Sequence, residues 1–326
     1  TVRTFNAEGP VYTLTFLADA PEGTIYTWYV NKNDGAGFVA LPDDSRIEGQ
    51  GTATLTITEP PAAWDGWSFR VDASGPASAS FSTTLTGIGR NRIYVNGAVS
   101  TSGDGTTWAT AFKTIPEAIA AAGFADYAQI WVAQGTYTPN RFGADAVFVL
   151  GPGRVLYGGF KGTETSQSQR NPTLYPTILS GYQAEAATIS DHSSNVLLLT
   201  SSTTSALPIA VDGFTLRDAS HSVLSLGREV EATVSNCVIE NRFARGADLG
   251  SGSITFKHVT FRKNKTGAAR VHSGTAVFEH TLFAQNEASS GAALNVSGTA
   301  TVTIKNSTIA DNFGNVRTGG VSVSGG

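Results

Sequence analysis

Apolar and polar residues alternate in short bursts down the C-terminal third of the chain, and the bursts recur. They read VSNCVIEN at 234–241, FKHVTFRKN at 256–264, FEHTLFAQN at 278–286 and IKNSTIADN at 304–312, with a weaker copy, VDGFTLRD, at 211–218. Between copies lies a second phrase: GAARVHSG at 267–274, GAALNVSG at 291–298 and GGVSVSGG at 319–326. The closing residues Asn241, Asn264, Asn286 and Asn312 are 23, 22 and 26 residues apart, and Asp218 lies 23 before Asn241. Period-2 alternation of Val, Ile, Phe and Thr, broken by Gly, Ser and Asn, is strand chemistry. Self-similarity at about 20 to 30 residues marks a solenoid. No leucine ladder or per-repeat helix is visible, so each repeat of 22 to 27 residues is predicted to form one coil of a parallel β-helix, about 4.8 Å above the last.

This pattern predicts which side chains meet. Val211, Val234, Phe256, Phe278 and Ile304 form one inward stack, and Leu216, Ile239, Phe261, Phe283 and Ile309 another. Phe214, Cys237, Val259, Thr281 and Ser307 share a further inward position. Cys237, the lone cysteine, is read there as a small buried residue rather than a catalytic or redox thiol. The asparagines are expected at a turn, each side-chain amide bonding its neighbours above and below.

Residues 1–88 carry a different pattern. VYTLTFLA (11–18), TIYTWYV (24–30), ATLTIT (53–58), WSFRVDA (67–73) and ASFSTTL (79–85) read as short strands, with a hairpin turn at NKNDGAG (31–37). Five strands in so short a stretch predict an antiparallel sandwich. The core Trp28, TATLTI (52–57) and DGWSFRV (65–71) make it resemble bacterial immunoglobulin-like domains. Trp67 stands where that family usually has Tyr, and its disulfide cysteines are absent.

Residues 89–326 are assigned to the β-helix. Within them, IYVNG (93–97) is a short strand, and one helix is predicted at about 114–123. Thr114 is its N-cap, Pro116 lies in its first turn, and Glu117 complements its positive end. Ile115, Ala118, Ile119 and Ala122 line its apolar face and Gly123 stops it. Such a helix covers the open end of a solenoid. IWVAQGTYTP (130–139) is expected as the first coil strand, with Trp108 and Trp131 packed where helix and coil meet. The run IYVNG, GDGTTWATAFKTIPEAI, IWVAQGTYTP, YGGFKGTE (157–164) and ILSG (178–181) resembles right-handed parallel β-helix proteins of the pectin-lyase-like type. It is most similar to their bacterial cell-surface branch. The resemblance implies a right-handed coil and a secreted or surface-anchored protein. The chain begins without Met and ends mid-coil at Gly326, which predicts an excised or processed piece with further coils beyond.

Charge changes this picture little. The net charge is −4 with 15% charged residues, so no global case for nucleic acid arises. No apolar run is long enough to span a membrane. Enzymes of the wider superfamily, polysaccharide lyases and glycoside hydrolases, need clustered carboxylates or a basic residue beside them. The outward positions Asp212, Ser235, Lys257, Glu279 and Lys305 instead mix signs. So do Arg217, Glu240, Lys263, Gln285 and Asp311 beside the asparagines. No carboxylate pair emerges, and no catalytic, cofactor-binding or metal-binding residue is assigned. His258 and His280 stack one coil apart, with Asn236 and Asn306 in the same place. They read as a polar turn ladder rather than a metal site, for which only Glu279 is near enough to add a ligand. Asp104, in SGDGT, is the one weak calcium candidate. Between 228 and 270, Arg228, Arg242, Arg245, Lys257, Arg262, Lys263, Lys265 and Arg270 outnumber Glu229, Glu231, Glu240 and Asp248 by eight to four. That excess suits an acidic polysaccharide or, more simply, a solvated face.

The expectation is therefore an all-β extracellular module, an immunoglobulin-like β-sandwich followed by a capped right-handed parallel β-helix. Its expected role is non-enzymatic and adhesin-like or structural, presenting a stiff surface to glycans or proteins. The alternatives are a polysaccharide lyase or glycoside hydrolase and a self-assembling filament component, with self-association through the last coil.

Overall fold

The computed structural model of the chain describes residues 2–6, 9–15, 20–58, 60, 64, 66–76, 78–84, 92–122, 128–139, 146–182, 192–201, 207 and 209–324. Asp65, Gly123 and the expected strand ends at 16–18 and 85 lie outside them. The chain divides into two compact units, residues 1–91 and 92–326.

The first unit holds two four-stranded antiparallel sheets. One runs Val2–Asn6, Gly9–Thr15, Thr54–Thr58, Ile47–Glu48, and the other Val39–Ala40, Ile25–Asn31, Ser68–Ser74, Ala79–Thr84. Alternate residues of both sheets make one core: Trp28 and Val30, Phe69, Val71 and Ala73 from one, Ile47, Leu55 and Ile57 from the other. The Trp28 indole donates to the Thr52 carbonyl at 2.9 Å. Trp64 joins this core, and Trp67 stacks on it at 4.6 Å.

The second unit is a parallel β-solenoid. Its first sheet has eight strands, and its second and third have seven each. Every full coil contributes one strand to each sheet, as in Gly252–Lys257, Thr260–Arg262 and Ala269–Val271. The predicted stacks form in register. Val211 pairs with Val234, then Phe256, Phe278 and Ile304 in the first sheet. Leu216 pairs with Ile239, then Phe261, Phe283 and Ile309 in the second. All are buried except Ile304 and Ile309, which belong to the last coil and are 38% exposed. The phenylalanines use the coil spacing as a stacking distance. Phe256 lies over Phe278 at 5.0 Å, and Phe261 over Phe283 at 5.2 Å.

The solenoid begins one strand earlier than expected. Arg92–Val95 already pairs in parallel with Ala128–Ala133, so the IYVNG segment is the end strand of the first sheet. The helix runs Ile115–Ala121 with Thr114 as N-cap. The Thr114 hydroxyl accepts from the Glu117 N–H, while the Glu117 carboxylate accepts from the Thr114 N–H at 3.0 Å. This reciprocal pair satisfies two of the donors that a helix start leaves open. Ile115 and Ala118 are buried in the solenoid core, with Ile119 and Ala122 packed against it.

In the five coils from residue 209 onward, a left-handed residue follows the first-sheet strand at the turn to the second. It is Gly213, Asn236, His258, His280 and Asn306 in successive coils, with φ between 49° and 82°. Glycine takes this conformation freely, and asparagine and histidine are among the side chains that tolerate it best.

Candidate functional site

The second sheet turns into the third beside an open groove of about 590 Å³. Its walls are Thr136 and Thr138, Ser180 and Tyr182, Arg217 and Asp218, Glu240 and Arg242, and Arg262 and Lys263. These pairs come from five successive coils, so the groove follows the solenoid axis. Four strand spacings give it a length of about 19 Å.

The groove holds four cations and two carboxylates. Both carboxylates are committed. Asp218 lies 3.2 Å from the Arg217 Nε, within ion-pair distance but without a hydrogen bond, and accepts the Ser180 hydroxyl at 2.9 Å. Glu240 accepts from the Arg262 Nε, one coil on, at 2.8 Å. Arg242 and Lys263 make no ion pair among the described residues and stand exposed. The Arg242 guanidinium lies 5.1 Å from the Phe243 ring centre. Tyr182, 48% exposed, stands in the second of the five coils and meets the buried His192 ring at 5.1 Å and near a right angle, and the His192 ring also meets Phe243 edge-on. His192 Nδ1 is buried without a hydrogen-bond partner.

The sequence pattern found no carboxylate pair, yet Asp218 and Glu240 share this groove. Asp218 aligns with the asparagines and Glu240 with the residues just before them, so the pattern never sets the two side by side. A separate one-residue slip lies farther on, beside the later asparagines. Arg217 registers with Glu240, then Arg262, Ala284 and Ala310. Lys263, Gln285 and Asp311 are instead the next residue, a left-handed turn position. The slip also breaks the expected ladder. Asn264, Asn286 and Asn312 are linked: Asn286 Oδ1 accepts from Asn264 Nδ2 at 2.8 Å, and Asn312 Oδ1 from Asn286 Nδ2 at 2.8 Å. Asn241 follows its strand directly, without the extra turn residue. Its side chain serves its own loop instead, donating to the Arg245 carbonyl and accepting from the Phe243 N–H. Asn264 Oδ1 is left buried without a partner.

Other sequence candidates resolve differently. The rings of His258 and His280 stack at 4.8 Å and 8°. Their shared backbone conformation explains them, and no group of three metal-ligating side chains occurs among the described residues. Cys237 is buried, its Sγ accepting from the Phe214 N–H at 3.4 Å, and burial pushes the thiol up to about 12. Asp104 accepts the Thr106 N–H and hydroxyl, and bonds from Thr110 and Thr106 hold its carboxyl down at about 2.

The basic run 228–270 is split by the coil. Arg245 and Arg270 both pair with Asp248, with the His221 Nε2 at 3.7 Å from the same carboxylate. Lys265 pairs with Glu287, and only Arg242, Arg262 and Lys263 reach the groove. Trp131 stacks on Phe160 at 4.5 Å, and the Trp108 indole donates to the Glu164 carbonyl. This cluster stands apart from the core that the helix joins. The reason is period 2: Trp131 alternates with the inward Ile130 and Val132, so it faces outward. Thr136, Ser180 and Tyr182 were not anticipated, because the coils before residue 211 carry no repeated phrase.

The family model for the right handed beta helix region matches residues 180–326. The second unit is thus a right-handed parallel β-solenoid of about seven turns. No curated protein and no solved structure matches the chain.

Proposed function

We propose that this chain is a non-enzymatic, extracellular surface module of adhesin type, whose rigid solenoid presents the axial groove to a glycan. The observation that carries this reading is the state of the two groove carboxylates. A glycosidase needs one carboxyl to donate a proton and a second to act as base or nucleophile. Asp218 and Glu240 are each tied to an arginine instead, which is how a polar wall is neutralised. An exposed aromatic ring and free cations beside them suit binding. The long coil repeats outward side chains at a fixed spacing, which favours contact at several points along an extended ligand.

The remaining parts fit such a module. The strand orders of the first unit correspond to those of immunoglobulin sandwiches, with the first, second, sixth and fifth strands in one sheet and the fourth, third, seventh and eighth in the other. This supports an immunoglobulin-like spacer of the kind seen in bacterial surface proteins. The helix Ile115–Ala121 packs on the strands of the first coil, which supports its role as a cap.

A second reading, a glycoside hydrolase, has one observation in its favour: two carboxylates in one groove. The experiment that separates them is a glycan-array screen run beside a reducing-end and unsaturated-product assay on the same polysaccharides. Saturable binding without product supports the surface module. Turnover that disappears in Asp218→Asn or Glu240→Gln overturns it in favour of the hydrolase. Absence of binding to any glycan overturns both.

A further inference from the structure

The chain has one Asn-Gly dipeptide, Asn96–Gly97, in the turn that leaves the first solenoid strand, Arg92–Val95. Such a pair is chemically labile, because a residue without Cβ leaves its backbone nitrogen open to attack the asparagine side chain. Tyr137 explains why glycine stands there. A Cβ on Gly97 would meet Tyr137 Cε1 at 3.3 Å, and one on Gly135 would meet Cε2 at 3.5 Å, so the two glycines adjoin opposite edges of the ring. The same side chain holds the reactive nitrogen. Its hydroxyl accepts from the Gly97 N–H at 3.0 Å and donates to the Ala133 carbonyl at 3.0 Å. Asn96 is fixed by its own turn: Oδ1 accepts from the Ala98 N–H at 3.0 Å, and the backbone carbonyl from the Val99 N–H at 3.2 Å. The Asn96 N–H donates to the Phe112 carbonyl at 2.8 Å. Gly97 is exposed, so water reaches the turn.

We infer that Asn96 is a latent deamidation site, which the Tyr137 hydroxyl keeps shut while the first coil is closed. In the reaction the Gly97 nitrogen bonds to Asn96 Cγ and the Cγ–Nδ2 bond breaks. The displaced NH2 leaves as ammonia with the proton from the Gly97 N–H. One water then opens the cyclic imide, at one carbonyl to aspartate and at the other to isoaspartate. Attack requires the Gly97 peptide plane to turn toward Cγ and its N–H to be given up. The bond to Tyr137 opposes both. Tyr137 belongs to the strand Gly135–Tyr137, which pairs with Thr177–Ser180, so its hydroxyl leaves Gly97 only when this coil separates from the turn. The change is then permanent. Isoaspartate routes the main chain through the former side chain and adds a methylene, which the Asn96–Val99 turn and its bond to Phe112 do not accommodate. Opening at this end of the solenoid is thereby recorded as a covalent mark. The inference is independent of what the groove binds.

The test incubates the whole chain at mildly alkaline pH and follows Asn96 by peptide mapping and mass spectrometry, with aspartate and isoaspartate products separated by elution. The native protein is expected to react about tenfold or more slowly than the same chain unfolded in denaturant, a factor within reach of one hydrogen bond. Tyr137→Phe keeps the ring beside both glycines and removes only the hydroxyl. It is expected to speed the native reaction about tenfold. Hydrogen exchange is measured on the same variant, and faster exchange confined to residues 93–99 marks the loss of a local restraint. Where exchange rises throughout the solenoid instead, the wild-type comparison between native buffer and denaturant decides by itself. Equal rates in those two conditions overturn the inference. A native rate unchanged in Tyr137→Phe overturns the role of the hydroxyl.

Discussion

Asn264 donates twice to one atom: its backbone N–H and its side-chain amide both reach Asn286 Oδ1, at 3.1 and 2.8 Å. The same two bonds join Asn286 to Asn312 at 3.0 and 2.8 Å. Each amide also donates to a backbone carbonyl, Ile239 for Asn264 and Phe261 for Asn286. Coil is thereby stitched to coil at a buried turn where no water is available to replace a lost partner.

The middle of this ladder is therefore its costliest position. Asn286→Ala leaves the Asn264 donors, the Phe261 carbonyl and Asn312 Oδ1 short of a partner, and is expected to cost about 3 to 5 kcal/mol. Asn241→Ala removes only bonds within one loop and should cost about 1 kcal/mol. Denaturant midpoints of the two variants decide the matter. Equal shifts would mean that stacking between coils adds nothing.

At the turn between first and second sheets, conformation rather than imidazole chemistry sets the residue. His258 has φ 54° and His280 φ 51°. His258→Asn and His258→Gly are expected to change stability by less than about 0.5 kcal/mol, whereas His258→Val costs about 1 to 2 kcal/mol. Thermal melts with and without zinc test both readings at once. A large rise in melting temperature with zinc, lost in His258→Asn, would restore the metal site.

Cys237 is expected to be inert while the coil is closed. Burial raises its thiol to about 12, so the native protein keeps it protonated through the usual working range. A thiol titration should read zero in buffer and one in denaturant. The sign of the linkage follows. A folded pKa above that of the free thiol lends stability below about pH 9, which fades as pH climbs toward 12. Rapid labelling of native protein at neutral pH would contradict the packing.

The helix start makes a prediction in the opposite direction of pH. The Thr114 hydroxyl holds the Glu117 carboxyl below its ordinary value, so this contribution is complete above the glutamate range and disappears as pH falls below it. Thr114→Ala should cost about 1 kcal/mol at neutral pH. The gap between the two proteins should narrow in acid, as measured by melting temperature from pH 7 to pH 3. A constant gap would indicate that Glu117 takes no part in the cap.

Much of this fold was legible in the chain itself. The two inward stacks follow from period 2 within strands and from the 22-residue return of Ile239, Phe261 and Phe283, because the pleat allows each register only one buried face. Helix start at Thr114 was equally plain, since a capping box is local chemistry. Even the exclusion of Asn241 left a trace. It lies 23 residues before Asn264, while the strand residues Ile239 and Phe261 are 22 apart, and that single residue is the missing turn position. Tertiary structure alone decided the groove. Tyr182 and Arg242 are 60 residues apart, in coils with no shared phrase, and the long turns between them have no periodicity to align. Which charges remain free was settled there too, because Arg262 finds Glu240 only through the coil stacked beneath it. Strand registry is short-ranged and repeats, so sequence carries it; the meeting of turn side chains depends on coil lengths that vary, and only the assembled solenoid brings them together.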